Sequence, residues 1–252
     1  MRVLLTNDDG FAAEGLISAY KALKAAGHKV TVCAPDRERS AQSQSVTLRV
    51  PIEVRERPLP DGDLGFAISG TPADCARLGF TTLAPKPVDL VVSGVNNDFN
   101  LGFDVNYSGT VAAALEAAGA GYKAIAASLE RSDAYDWNLA GSILIKVINN
   151  LSAWAIPKGV ALNLNIPSQP TDLELVWTKP DGRAAPDTYH QELGPDGLGL
   201  YTRLRGDPLW FLDAEPDTDL ALARSGRITL SPLISVRAHT PTLSRLLATS
   251  KD

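Results

Sequence analysis

The chain has 252 residues, enough for one large α/β domain or two small ones around a buried core. Its hydrophobic share of 44% and charged share of 21% are ordinary for a soluble globular protein. A formal charge of −5 gives no bulk attraction to nucleic-acid polymers or anionic membrane, so an anionic substrate has to be held by local devices such as a metal, a helix end or single cations.

Arg2 to Thr6 is a short apolar, β-branched run that reads as a strand buried on both faces. It starts the sequence without a basic segment and apolar signal core, and no apolar run approaches the roughly 18 residues of a membrane span. A cytoplasmic protein is expected. Asn7-Asp8-Asp9-Gly10 follows the strand at once. Asp-Gly is a common turn, yet two adjacent carboxylates repel unless a proton or cation relieves them. Hard oxygen ligands of this kind suit Mg²⁺, Mn²⁺ or Ca²⁺. Residues 12–26 read as a helix ended by Gly27, and Lys29 to Ala34 as a second strand, giving a first β-α-β unit. A polar stretch, Pro35 to Ser45, leaves the carboxyl end of that strand and brings hydroxyls such as Ser40 towards Asp8 and Asp9. Its plain reading is a solvated loop.

Val46 to Arg57 alternates apolar and polar positions and predicts a strand or hairpin arm. Pro58 to Asp63 predicts a turn and Gly65 to Ile68 a returning strand. In Ser69 to Asp74, Thr71 is placed to cap a helix, with Pro72 at its first position and Asp74 in its first turn. Cys33 and Cys75 lack zinc spacing and are expected to be buried small residues. Val88 to Val92 is the clearest buried strand, and it runs into the oxygen-rich stretch Ser93 to Asn100. Tyr107-Ser108-Gly109-Thr110 then precedes a small-residue helix, Val111 to Ala118. Ser108 is a natural cap, Gly109 allows close approach to the backbone, and a helix start of this kind is an anion site.

Lys123 to Ser128 predicts a strand, Tyr135 to Leu151 a helix and Gly159 to Ile166 another strand. Alternation of strands and helices over two-thirds of the chain predicts a doubly wound, Rossmann-like α/β fold with a mostly parallel sheet. After Pro167 the texture changes. Leu173, Leu175 and Trp177 alternate as a strand, Lys179 to Gly197 is rich in Pro, Gly and Asp, and Gly199 to Arg205 is a further strand candidate. This predicts an extended β arm on a single domain whose core spans about 1–170. Leu198, Leu200, Tyr201, Leu209, Trp210 and Phe211 in so polar a setting call for a partner surface. A short helix from Asp217 or Thr218 to Gly226 and a strand, Ile228 to Ile234, complete the reading.

Three strand ends thus deliver hard oxygen ligands: Asp8 and Asp9, then Ser40, then Asn96. Ser108, Gly109 and Thr110 supply anion-binding donors, and a metal-plus-phosphate pocket requires such a combination at one sheet edge. The turn after the first strand lacks Gly-x-Gly-x-x-Gly, which disfavours a dinucleotide-binding enzyme. The motifs Asn7-Asp8-Asp9-Gly10, Ala34-Pro35-Asp36-Arg37 with Ser40, Ser69 to Cys75, Asp89 to Asn96 and Asn100 to Val111 occur in one series. Together they resemble the survival protein E (SurE) family of metal-dependent nucleotidases.

The resemblance extends to about Pro232. It implies a phosphatase acting on nucleoside 5′- and 3′-monophosphates with one Mg²⁺ or Mn²⁺ per subunit, and in some members on short polyphosphate. It carries metal ligation to Asp8, Asp9, Ser40 and Asn96, and phosphate binding to Asn96, Ser108, Gly109 and Thr110. Asp8 or Asp9 then positions the attacking water, with Asp8 preferred. It also implies homodimers or homotetramers built through the C-terminal arm. Two departures stand out: Asp98 replaces the family's usual Gly, and the Asp-x-Thr that commonly follows Thr-Pro-Leu is missing after Ser231-Pro232-Leu233. His239 is an attractive acid for the leaving alkoxide, but a lone His beyond the last strand is more often a surface residue and is left out of the catalytic set. A non-catalytic sensor of nucleotide and metal would use the same groups, and phosphate release abolished by a chelator separates the two.

Overall fold

A computed structural model describes residues 1–183, 187–195, 199–205 and 214–235. The first strand, β1 (Arg2–Thr6), leads through α1 (Glu14–Ala25) to β2 (Lys29–Pro35), which pairs with it in parallel. β3 (Val54–Pro58) and β4 (Leu64–Ile68) form a hairpin whose second strand joins β2. After α2 (Pro72–Leu78) the chain enters β5 (Leu90–Asn96), the other neighbour of β1. Then follow α3 (Gly109–Gly119), β6 (Ala124–Leu129), α4 (Trp137–Asn150) and β7 (Val160–Ile166). β8 (Leu175–Trp177), β9 (Asp187–Leu193), β10 (Gly199–Arg205), α5 (Asp219–Arg224) and β11 (Ile228–Ile234) complete the described elements.

The main sheet runs β3-β4-β2-β1-β5-β6-β7-β11-β8, and β9 with β10 forms a separate two-stranded sheet. α1 and α4 cover one face, where Leu16, Tyr20, Leu23, Ile143, Leu144 and Val147 join the core with Leu5, Val92 and Leu164. α2 and α3 cover the other, over Leu4, Cys33, Val91 and Ala126. Strands buried on both faces need apolar side chains at consecutive positions, which is why β1, β5 and β6 read as continuous apolar runs. α3 is rich in alanine and buried all round, as a helix apolar on every side must be. β11 lies antiparallel between β7 and β8, so the C-terminal part extends the sheet. The fold is the expected doubly wound α/β architecture with a mostly parallel sheet. Among the described residues no helix is long and apolar enough to cross a membrane. Cys33 and Cys75 are buried and unpaired.

One sequence expectation is corrected, and the predicted β arm gains a strand. The strand predicted over Val46 to Arg57 is formed only from Val54 to Pro58. Asp74 explains the difference: its carboxylate accepts hydrogen bonds from the Thr47 N–H at 3.1 Å and the Thr47 hydroxyl at 2.6 Å. Arg49 turns left-handed at φ 65° two residues later. Backbone groups spent on α2's start, followed by that turn, are withdrawn from any ladder. The Pro/Gly/Asp-rich stretch after Lys179 contains β9, paired antiparallel with β10 from Asp187↔Arg205 to Leu193↔Gly199. Leu198, Leu209, Trp210, Phe211 and His239 lie outside the described residues.

Candidate active site

β1 is flanked by β2 on one side and β5 on the other, so the chain reverses its direction of winding between β1 and β5. The crevice beyond the carboxyl ends of two such strands is where doubly wound folds place their sites. Asp8 and Asp9 leave β1 there, and Asn96 is the last residue of β5. The turn is stitched locally: the Asn7 side chain donates to the Gly10 carbonyl at 2.9 Å and accepts from its N–H at 3.3 Å. Gly10 has φ 105°, and a Cβ there would stand 3.0 Å from the Arg37 backbone. Only glycine permits this close crossing of the β1 and β2 exits. Arg39 N–H donates to the Asp8 carbonyl at 2.7 Å, which brings the polar stretch after β2 alongside.

A cavity of about 490 Å³ opens at this point, lined by Asp8, Ser40, Asn96 and Ser108 together with Glu38, Asp98 and Arg131. A larger groove of about 580 Å³ runs between α1 and α4 past Ile17, Ala22 and Trp137. The chemistry-bearing residues belong to the former.

Asp8 is the best-held member. It is 4% exposed, the Thr110 hydroxyl donates to its carboxylate, and the nearby Gly109 and Thr110 backbone also favours its charged form. Burial nevertheless raises its pKa, against the downward pull of those groups. Asp9 is raised to about 7, first by burial and then by the neighbouring Asp8 charge, while a bond from the Asn97 backbone opposes the rise. Ser108 caps α3, its Oγ accepting from Val111 N–H at 3.0 Å. Its own O–H stays available to donate.

Asn96 reaches the site because the β5–β6 register slips: Ser93 pairs with Ala126, but Asn96 with Ser128. Three steps on one strand against two on the other form a bulge, a device that re-aims side chains. Asn96 Nδ2 donates to the Asp98 carbonyl at 2.7 Å, which fixes the amide and leaves Oδ1 as a lone-pair donor for a cation. Ser40 is exposed, and its hydroxyl donates to Glu38 at 2.9 Å. Its loop is pinned by Ser43, whose N–H and hydroxyl reach the Tyr107 and Asn106 carbonyls at 2.9 and 2.7 Å.

The structure thus brings Asp8, Ser40, Asn96 and Ser108 to one cavity, while Asp9, next to Asp8 in the chain, and Gly109 and Thr110, packed against Asp8, are not among its lining residues. It also changes the emphasis at the helix start, because Gly109 and Thr110 are engaged with Asp8 itself. Among the described residues no three His, Cys, Asp or Glu side chains group as a metal site. The donor set is two carboxylates with a hydroxyl and an amide oxygen, a hard set that fits Mg²⁺ or Mn²⁺. Two adjacent carboxylates, Asp8 buried and Asp9 half-buried, both with raised pKa values, are groups whose charge a cation would relieve. The sequence reading missed Glu38 and Arg131 as pocket residues. Arg131 follows the carboxyl end of β6, so the rule that singled out Asn96 would have found it.

The fold and this pocket define a doubly wound α/β protein with a polar, carboxylate-bearing site at its switch point. The survival protein SurE family model matches residues 3–185. A protein of Pelotomaculum thermopropionicum named 5′-nucleotidase SurE is 38% identical over 235 residues, covering 92% of this chain and 89% of its own. One of Solidesulfovibrio magneticus with the same name is 39% identical over 250 residues, covering 98% and 97%. The crystal structure of the SurE protein from Aquifex aeolicus superposes with a TM-score of 0.81 at 28% identity, over 99% of this chain and all of that one. The chain belongs to the survival protein SurE family.

Proposed function

We propose that this protein is a 5′-nucleotidase: a metal-dependent phosphomonoesterase that hydrolyses nucleoside 5′-monophosphates, and 3′-monophosphates, to nucleoside and phosphate. Short polyphosphate is the remaining substrate class that the family resemblance implies. The observation that carries the reading is the seating of Asp8 at the switch point, against the amino end of α3 and beside Asp9 and Asn96. Asp8, Asp9, Ser40 and Asn96 are the residues that would hold Mg²⁺ or Mn²⁺, Ser40 by turning from Glu38. A cation there acidifies bound water and offsets phosphoryl charge.

The protein's own groups do the rest. Asp8, held by the Thr110 hydroxyl, orients the attacking water and accepts its proton; a carboxylate held in one rotamer costs little reorganisation during reaction. Ser108 donates its O–H to the phosphoryl group. The positive end of α3, whose first N–H groups are those of Gly109 and Thr110, favours that anion. Asn96 borders both the cation and the phosphoryl group.

The experiment is phosphate release from a panel of nucleoside monophosphates, with and without a chelator. Release that the chelator abolishes is expected. No release from any monophosphate would refute the enzyme, and undiminished release under excess chelator would refute metal dependence.

We place the protein in the cytoplasm and read it as at least a dimer joined through the arm. An isolated two-stranded ribbon is marginal in water, and β9–β10 exposes Tyr189, Leu193, Leu200 and Tyr201. Removing residues 184–206 while keeping Asp181 and Arg183 should give a monomer by sedimentation. An intact protein that sediments as a monomer at micromolar concentration excludes the assembly.

A further inference from the structure

The pocket carries more negative charge than the proposed chemistry uses. Besides Asp8, its described lining includes the carboxylates of Glu38 and Asp98, and Arg131 is the lining residue that stands near Asp98. Asp98 is short and tied down. Its Oδ1 accepts from the Phe99 N–H at 2.8 Å, and its backbone carbonyl holds the Asn96 amide. The Arg131 Nε stands 3.9 Å from Asp98 Oδ2, with the two side chains 72% and 44% exposed. A pair that long and that wet offsets little charge. A negative charge is therefore fixed two residues from Asn96, on the wall of the cavity.

A phosphomonoester brings one charged group into this space. In the reading above, from which this inference takes only the position of that first phosphoryl group, the metal and the amino end of α3 meet its charge. The second and third phosphates of a diphosphate, triphosphate or short polyphosphate extend from it, into the part of the cavity bordered by Asp98 and Glu38. Like charges brought together in a partly shielded cavity repel, and interfaces use such repulsion to reject the wrong partner. A nucleoside is uncharged at the corresponding place and offers hydroxyls that a carboxylate can accept. We infer that Asp98 is a specificity-determining residue that favours phosphomonoesters and disfavours chains of phosphate.

The test is calorimetric binding of orthophosphate and of tripolyphosphate to the Mg²⁺-loaded protein, at constant free Mg²⁺. It uses the wild type, Asp98→Asn and Glu174→Gln. Asparagine keeps the oxygen that accepts from Phe99 N–H and the backbone carbonyl that holds Asn96, so the loop is preserved. Glu174→Gln makes the same change in net charge just before β8, at the far edge of the sheet. Asp98→Asn should raise tripolyphosphate affinity relative to orthophosphate on the order of tenfold, with the gain shrinking at high ionic strength. Glu174→Gln should leave the ratio where it is. Orthophosphate binding with an unmoved ratio in Asp98→Asn, or an equal shift in Glu174→Gln, would overturn this inference alone. A wild type that binds no orthophosphate would bring down the phosphatase reading, and this inference with it.

Discussion

Gly109 is where the site and the fold press hardest on each other. A Cβ there would stand 2.8 Å from Asp8 Cβ, 2.9 Å from Asp8 Oδ2 and 3.0 Å from Pro72 Cγ. None of these is the loose end of a flexible chain: Asp8 is held by Thr110, and the proline ring is rigid. Gly109→Ala must therefore displace Asp8 or the first turn of α3. Overpacking of this kind costs about 1–3 kcal/mol, and the helix propensity gained on replacing Gly by Ala returns at most about 1 kcal/mol. The net expectation is a destabilisation of roughly 0–2 kcal/mol, with turnover reduced on the order of 100-fold because the fixed carboxylate moves. Gly119, at the other end of the same helix, has nothing within 4 Å of a built Cβ, so Gly119→Ala should stabilise by up to about 1 kcal/mol. Urea midpoints at constant slope and phosphate release measure both variants. A Gly109→Ala protein with wild-type turnover and an unlowered midpoint would refute the reasoning.

Asp9→Asn should keep the fold and lose metal binding and most activity, because it relieves the repulsion with Asp8 while removing a charged ligand. Calorimetric Mg²⁺ titration checks this, and wild-type turnover at moderate metal concentration contradicts it. Thr110→Ala removes a hydroxyl donor to a buried carboxylate. A cost of about 1.5–3 kcal/mol in denaturation and lowered turnover is expected, and total loss of activity would mean that the N–H groups at the helix start count for less than argued. Asp219 is fully buried, and burial raises its pKa to about 6 against bonds from the Gly102, Asp181 and Leu220 N–H groups. Its folded pKa lies above the ordinary carboxylate value of 3.8, so the folded state holds the proton more tightly and stability falls as pH rises from about 4 to 6. At 1.36 kcal/mol per pH unit the loss is about 3 kcal/mol, and the stability advantage of wild type over Asp219→Asn should narrow by that amount across the window. An advantage that widens with pH in chemical denaturation contradicts the sign.

The parts of the fold legible in the sequence are those where local chemistry and global position agree. β1, β5 and β6 are buried on both faces, so their apolar runs identify them without a partner strand. Thr71-Pro72-Ala73-Asp74 announces a helix start, and both bonds of its capping box are present, at 3.1 and 2.9 Å. Over Val46 to Glu53 local chemistry and global position disagree. The alternation suits a strand, but a strand also needs its backbone groups, and Asp74 takes those of Thr47 from 27 residues away. β9 gave no apolar alternation because its ribbon is solvated at every described position. The bulge at Ser93 to Asn96 is a property of two strands in register, which neither strand encodes alone.

The same distinction governs the site. That Asp8 and Asp9 leave a strand, and that Ser108-Gly109-Thr110 starts a helix, are local facts, and both were readable. What the helix start holds was not readable, since Asp8 and Thr110 are 102 residues apart. From sequence alone, Gly109 made room for a ligand. In the fold, its missing Cβ makes room for Asp8, whose carboxylate is the anion already present at the amino end of α3. A phosphoryl group bound there meets that carboxylate, which shifts the discriminating hydrogen bond to the Ser108 hydroxyl. It also ties the orientation of the proposed base to the integrity of the helix. Asp8 and α3 are therefore one device, in which each carries the other's unsatisfied groups.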